Sequence, residues 1–383
     1  MKTQRMIFIF VLVLLAFLIP CNTVTAKADD LSDSVKDRLN DLNLNEIEDY
    51  FDNLETPEFD FISALNSLLA GEFNNEEKIT DYIKQILFSE INYLLPTVIG
   101  VIVIAILCEI VKNIKSAYLS ESVVTIIKFV TILSIILLLQ PIFISLWDKT
   151  KNLIQNMGKF TEIMSPIIIT LMIASGGVQS AAIYKPSVVF FSSIVINIFY
   201  ALILPLIGIL TAFNIMSHFS KDIKLKKFSD FFSGIIKWIF GIVIVVYGFL
   251  ITTQGIAAST SDGISYKVAK YAISNSVPIV GGLIKDGIDI VAAGSLVVKN
   301  ALGIAGVVGV FYYILSPVIE MIVFSLLLKF AAAVTDMFAG DIVPDFLSTI
   351  SKTINYLIAS ALTVGLMAFL TVLLMVFSAN AII

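Results

Sequence analysis

Apolar positions along this chain follow two patterns, and the change between them comes near residue 90. Between Leu31 and Glu90 they recur at helical spacing, as in Leu31, Val35, Leu39 and Leu42 and again in Phe61, Ile62, Leu65, Leu68 and Leu69. That spacing predicts about three short amphipathic helices, the last over Glu76 to Ile91, with Pro57 and Gly71 as breaks. Beyond Ile91 the apolar runs become solid: Ile91 to Val111, Val123 to Trp147, Ser187 to Phe213, Trp238 to Ala258 and Ile354 to Phe377. Each is long enough to cross a bilayer, which takes about 20 helical residues. Ala301 to Val334 exceeds one straight crossing and contains Pro317. It reads as two spans meeting at a tight turn, or as one crossing preceded by a half-helix. The expected fold is an all-α polytopic transmembrane bundle of about seven spans, with a small amphipathic helical region ahead of it.

Two stretches break this regularity. Ile163 to Ala174 is short, contains Pro166 and runs into Ser175-Gly176-Gly177. So short a piece suits a re-entrant or broken element better than a full span. Charge agrees: if the piece crossed completely, the loop carrying Lys221, Lys224, Lys226, Lys227 and Lys237 would fall outside, against the bias that keeps Lys and Arg in the cytoplasm. The loop after the first span, with Lys112 and Lys115, is also basic. Residues 161–186 are therefore expected to dip into the membrane from the outer side and return. The second irregular stretch, residues 276–300, holds Pro278, Gly281 and Gly282, then an amphipathic helix on which Ile288, Val291, Ala292 and Leu296 share a face.

Composition fits a lipid solvent. Of 383 residues, 58% are hydrophobic and 14% charged, against about 25% charged in soluble chains. The charges that remain are unevenly placed, because residues 29–90 carry 17 Asp and Glu against four Lys and Arg. A surface so acidic repels nucleic acid and anionic lipid. Ahead of it, Lys2 and Arg5, an apolar run from Met6 to Ile19, Pro20, and small residues through Ala26 and Ala28 have the layout of a secretory signal peptide. An uncleaved anchor is the alternative, and in either case the acidic segment is translocated. The organisation expected is a signal peptide over 1–26, an exported acidic segment over 27–90 and a transmembrane domain over 91–383. Some 60 residues fold poorly alone, so the acidic segment should lie on the membrane part or on a partner.

Candidate chemistry is sparse. Cys21, Cys108 and a single histidine, His218, exclude a zinc site of the usual kind. No P-loop, zincin motif or Gly-x-Ser-x-Gly elbow occurs, so neither an enzyme nor a cofactor is expected. The ionisable residues within the spans are Glu109, Lys128, Lys237, Glu320 and Lys329. Glu320 is the costliest, being flanked by Val318, Ile319, Met321 and Ile322. Lys329 is too far along to pair with it on one straight helix, and if Pro317 opens a loop Glu320 is merely interfacial. The two Gly-containing elements, Met164 to Pro186 and Ser276 to Ile290, invite comparison with the broken helices of secondary transporters, which hold substrate between them. In that version Glu320, Asp262 or Lys270 would couple to an ion. Close helix packing through small residues is the plainer reading.

Several strings, taken in order, go further. They are Ala174-Ser175-Gly176-Gly177-Val178-Gln179-Ser180-Ala181-Ala182 with Lys185-Pro186, and Gln254-Gly255-Ile256-Ala257-Ala258-Ser259 with Asp262-Gly263 and Ala269-Lys270. Pro278-Ile279-Val280-Gly281-Gly282, Lys299-Asn300-Ala301-Leu302-Gly303-Ile304-Ala305-Gly306 and Lys329-Phe330-Ala331-Ala332-Ala333 follow. This succession resembles the stage III sporulation protein AE family of endospore-forming Firmicutes, over nearly the whole chain. The resemblance implies a mother-cell membrane subunit of a multiprotein channel or secretion-like complex that joins mother cell and forespore and sustains late forespore gene expression. It implies partners among the other stage III sporulation membrane proteins and on the forespore side, and no catalytic residue. Ser175, Gly176, Gly177, Gln179, Lys185, Pro186, Gln254, Gly255, Asp262, Gly263, Lys270, Gly281, Gly282 and Glu320 become candidate pore or packing elements.

Overall fold

A computed structural model describes residues 35, 39, 42, 44–54, 59–71, 76–114, 121–219, 225–276, 281–338 and 342–378. The signal sequence expected over 1–26, Lys221, Lys224 and Pro278 lie outside these residues. Nine α-helices order the described chain: α1 Asn45–Asp52, α2 Phe61–Ala70, α3 Glu76–Ile114, α4 Glu121–Ala174, α5 Val178–Val189, α6 Leu204–Phe219, α7 Lys226–Ser276, α8 Gly281–Asp336 and α9 Ile342–Phe377. Two π-helical segments, Phe190–Val195 and Ile198–Ile203, carry α5 into α6. No strand occurs among the described residues.

Six helical stretches are long and apolar enough to cross a membrane, Ile79–Val111, Ser122–Ala174, Val178–Phe219, Lys226–Gln254, Asp289–Asp336 and Ile342–Phe377. The protein is thus a helical membrane protein, with one such stretch fewer than the seven spans expected. The difference lies at the prolines. Pro317 sits inside α8, so residues 301–334 form one helix and make no tight turn. Likewise Ile163 to Ala174 is the last part of α4, which continues through both Pro141 and Pro166. A proline removes one backbone hydrogen bond and bends a helix, and apolar surroundings that offer no other partner for the backbone keep the rest wound. At 54 and 56 residues, α4 and α8 would each measure about 80 Å if straight, far more than the ~30 Å of bilayer hydrocarbon.

The long helices run up and down. A Cβ on Gly100 of α3 would lie 3.6 Å from Leu138 of α4, and one on Gly158 of α4 would lie 3.3 Å from Ile196 beyond α5. Phe199 meets Phe240 and Phe191 meets Tyr247, at ring-centroid distances of 5.2 and 6.0 Å, so α7 returns alongside α5 and α6. Gly365 of α9 faces Ile314 of α8. Alternation puts the connections after residues 114, 219 and 338 at one end of the bundle, and the turn at 175–177, the α7–α8 connection and the end of α9 at the other. The two basic loops therefore share an end. Their agreement follows from α4 being a single helix, and needs no additional half-crossing.

The hairpin of α8 and α9 forms the centre. Along α9 almost every residue from Ile350 to Met375 is buried or nearly so. Contact is close because Gly303 lies against Val376 and Gly365 against Ile314, where added side chains would collide. Around the hairpin lie α4, α6 and α7, with α3 on the flank of α4 and α8. The amphipathic region is part of the same core. Asp60 caps α2 by accepting a 2.7 Å bond from the Ser63 amide, and Gly71 ends it at φ 72°. Phe51 stacks on Phe61 at 5.1 Å and approaches Phe160 of α4 at 6.2 Å, while Phe59 meets Tyr312 of α8 at 5.7 Å. Gly309 of α8 supplies the space that the Phe51 and Phe59 rings occupy.

Candidate functional site

Antiparallel packing of α4 on α8 brings polar residues together at a steady register. Lys149 donates to the Glu320 carboxylate, Thr150 approaches the Met321 sulfur at 3.5 Å, and Asn156 Nδ2 donates to the Tyr313 hydroxyl at 2.8 Å. The Glu320 side chain is 2% exposed and that of Lys149 47%, so the pair joins a core carboxylate to an ammonium at the bundle surface. Pro317 opens no loop, and Glu320 is a mid-helix residue whose partner comes from a distant helix. Glu90 of α3, half-buried, lies within electrostatic reach of both. Lys149 bonds Glu320 alone and acts on Glu90 only through space. In a low-dielectric surrounding such an arrangement persists only while the charges stay matched.

The same ladder reaches α1, where the Tyr50 hydroxyl donates to the Asn156 carbonyl at 2.9 Å. Burial first, and nearby Tyr313 second, push the Tyr50 hydroxyl well above its ordinary pKa and keep it a neutral donor. The contact fixes the amphipathic region to the bundle through a backbone acceptor near the middle of α4.

The other candidates from sequence fall in separate places. Ser175, Gly176 and Gly177 form the turn between α4 and α5, where the Met172 carbonyl accepts from Ser175 Oγ at 2.9 Å and from the Gly177 amide at 2.8 Å. Gly176 there has φ 93°, a conformation that a side chain would strain. Gln179, Lys185 and Pro186 are exposed along α5. Gln254 accepts from Ser187, closing one side of a cleft lined by Tyr184, Tyr247 and Thr371. Gly255, Asp262, Gly263 and Lys270 lie along the C-terminal part of α7, and Gly281 and Gly282 open α8. The two Gly-Gly steps are thus one turn and one helix start, each leading into a long helix. α5 packs chiefly on α7 and α4, and α8 chiefly on α9, α3 and α4. Among the described residues no group of three or more His, Cys, Asp or Glu is placed to hold a metal.

Sequence reasoning missed Lys149, Asn156 and Lys299. Lys299 is fully buried, and its ammonium donates to the Ser378 carbonyl at the end of α9, where a cation offsets the helix dipole. A signal for Lys149 existed: the polar step Asp148-Lys149-Thr150-Lys151 follows directly on an apolar run, inside one continuous helix.

A family model described as Stage III sporulation protein AE matches residues 59–379, from just before α2 to the end of α9. The chain belongs to the stage III sporulation protein AE family. It is similar to the Stage III sporulation protein AE of Bacillus subtilis (strain 168), with 26% identity over 279 residues, or 73% of this chain and 70% of that protein. No solved structure matches. The family match takes in Lys149, Glu320, Asn156 and Tyr313, whereas α1, with Tyr50 and Phe51, precedes it. A sporulation role and a membrane location follow from the family and from the apolar helices together.

Proposed function

We propose that this chain is a membrane subunit of a multiprotein channel or secretion-like complex linking mother cell and forespore, one that supports late forespore gene expression. It would sit in the mother-cell membrane around the forespore, with its N-terminal segment outside the cytoplasm, and act with other stage III sporulation membrane proteins and a forespore-side partner. The observation that carries the reading is the family match across residues 59–379, on a bundle whose one long-range ion pair among the described residues, Lys149 with Glu320, ties two helices together. A subunit of this kind contributes surfaces and a path, and its activity depends on partners. The basic loops at one end and the acidic α1 region suit an orientation with the lysines in the cytoplasm.

The test has two arms. Deleting the gene in its spore-forming host should arrest sporulation after engulfment and lower a late forespore reporter, and affinity capture of the full chain from sporulating cells should bring down other stage III membrane proteins. The purified chain in liposomes should show no saturable solute uptake. Robust, saturable uptake by the chain alone would replace this reading with a secondary transporter or permease.

A further inference from the structure

The outer face of α4 and the outer face of α7 lie at one height in the bundle and have opposite chemistry. Gly158 of α4 lies against Ile196, and three residues on Phe199 meets Phe240 of α7, so residues 155–162 of α4 stand level with residues 238–249 of α7. On α7 every exposed side chain over residues 238–249 is apolar, the most exposed being Trp238 at 69%, Val245 at 70% and Phe249 at 67%, which is what lipid tails accept. On α4 they are Gln155, Lys159 and Glu162, and the row continues through Asn152 and Asp148, where the facing height on α7 carries the exposed Lys237. Steps of four and three residues put these five on a single stripe. Opposite them, Leu153, Met157, Phe160 and Met164 are buried. The stripe runs about four turns, roughly 20 Å, or most of the thickness of a bilayer core. Charged and amide side chains set against lipid over that distance are expensive and are found facing water or protein instead.

We infer that this stripe of α4 is one wall of a water-filled pathway within the membrane, opposite a lipid-facing wall made by α7. The inference rests on the channel-complex reading above and deepens it by assigning the wall. Lys149, at the edge of the stripe, connects it to Glu320 in the core. The signs alternate, Asp148 and Glu162 against Lys159, so the wall offers no single-sign field of the kind that selects ions by charge. It fits water and small polar solutes of mixed or zero charge.

The experiment uses the full chain in membranes of sporulating cells, with Cys21→Ser and Cys108→Ser together as the background. Single substitutions Gln155→Cys and Glu162→Cys on the stripe are compared with Val245→Cys and Phe249→Cys on α7. The probe is a charged methanethiosulfonate, given to vesicles open to both sides so that orientation does not enter. The stripe cysteines are expected to react at least tenfold faster than the α7 cysteines. Equal fast reaction would place this height outside the lipid, and slow reaction of the stripe would place it against lipid or a partner; either result overturns the inference. Normal sporulation of a deletion strain would overturn the channel-complex reading and leave the labelling result standing, so the two failures are distinguishable.

Discussion

Helices α7 and α9 are nearly equal in apolar character, yet their surroundings differ completely. Of the most apolar stretch of α9, 83% of residues are buried inside the protein, against 22% for α7. Lipid tails are as apolar as leucine, so hydropathy gives α9 no reason to leave the lipid. What separates the two is shape and polar satisfaction. On α9, Gly365 admits Ile314, Ser351 bonds Ser325 of α8 at 2.9 Å, and Thr371 shares a hydrogen bond with Tyr247. On α7, Gly234, Gly241 and Gly248 recur every seven residues with nothing close to where a side chain would go. Small residues against a neighbour make a core helix, and small residues against open space do not.

Glycine substitution is the strongest way to break this contrast. Gly365→Leu forces a side chain onto Ile314, only 2.5 Å from the position of the first added carbon. Overpacking of this kind costs about 3 kcal/mol. It should lower the thermal aggregation midpoint in detergent sharply, or abolish monodisperse protein. Gly241→Leu should leave the midpoint within a few degrees of the parent. Equal loss from both would show that α7 has a neighbour as close as α9 has, and the contrast would go.

Next in size is the ion pair. Glu320→Leu strips the buried side of the pair and leaves Lys149, which is half-exposed and can turn outward. Lys149→Leu leaves the carboxylate buried, with Glu90 close by, and should cost more, about 3 kcal/mol. The double variant should recover most of that loss. A thermodynamic cycle on unfolding in mild denaturing detergent checks the coupling, and additive effects would mean that the pair contributes nothing.

How much of this was legible in the sequence depends on which force sets each feature. The apolar runs carried the class of fold and the position of nearly every helix long and apolar enough to cross a membrane, because bilayer thickness imposes their length. The basic residues put both lysine loops on one side. The piece before Ser175 reads as a separate element because it is short, holds Pro166 and runs into Gly176-Gly177, whereas in the structure it is the end of α4, continuous through Pro166 and packed on α8. Likewise Pro317 lies inside α8 without dividing it. Glu320 was recognisable as a costly charge, but its partner lies 171 positions away, and only the register of two packed helices pairs them. The difference between α7 and α9 was the least legible of all. Hydropathy is blind to it, and the glycines signal it only once their neighbours are known.

Lys299 tests the contrast at the inner helix's own end. Its ammonium is buried and meets the Ser378 carbonyl, closing the last turn of α9 against α8. Lys299→Met keeps the length of the side chain and removes the donor, and should cost about 1–2 kcal/mol in the same cycle. Hydrogen exchange should quicken over the last two turns of α9 and stay unchanged on α7. The smallest effect belongs to Tyr50→Phe, which removes one hydroxyl donated to the Asn156 carbonyl and leaves the ring between Phe51 and Phe160 in place. About 1 kcal/mol is expected, read as faster proteolysis of the segment containing α1 with no change in the bundle. If the bundle loosened as well, α1 would have to be counted with α9 as part of the core, although it lies ahead of the family match. If only α1 is released, the family's bundle from α2 onward holds without it, and α1 is the part of the shared core that opens at the lowest cost.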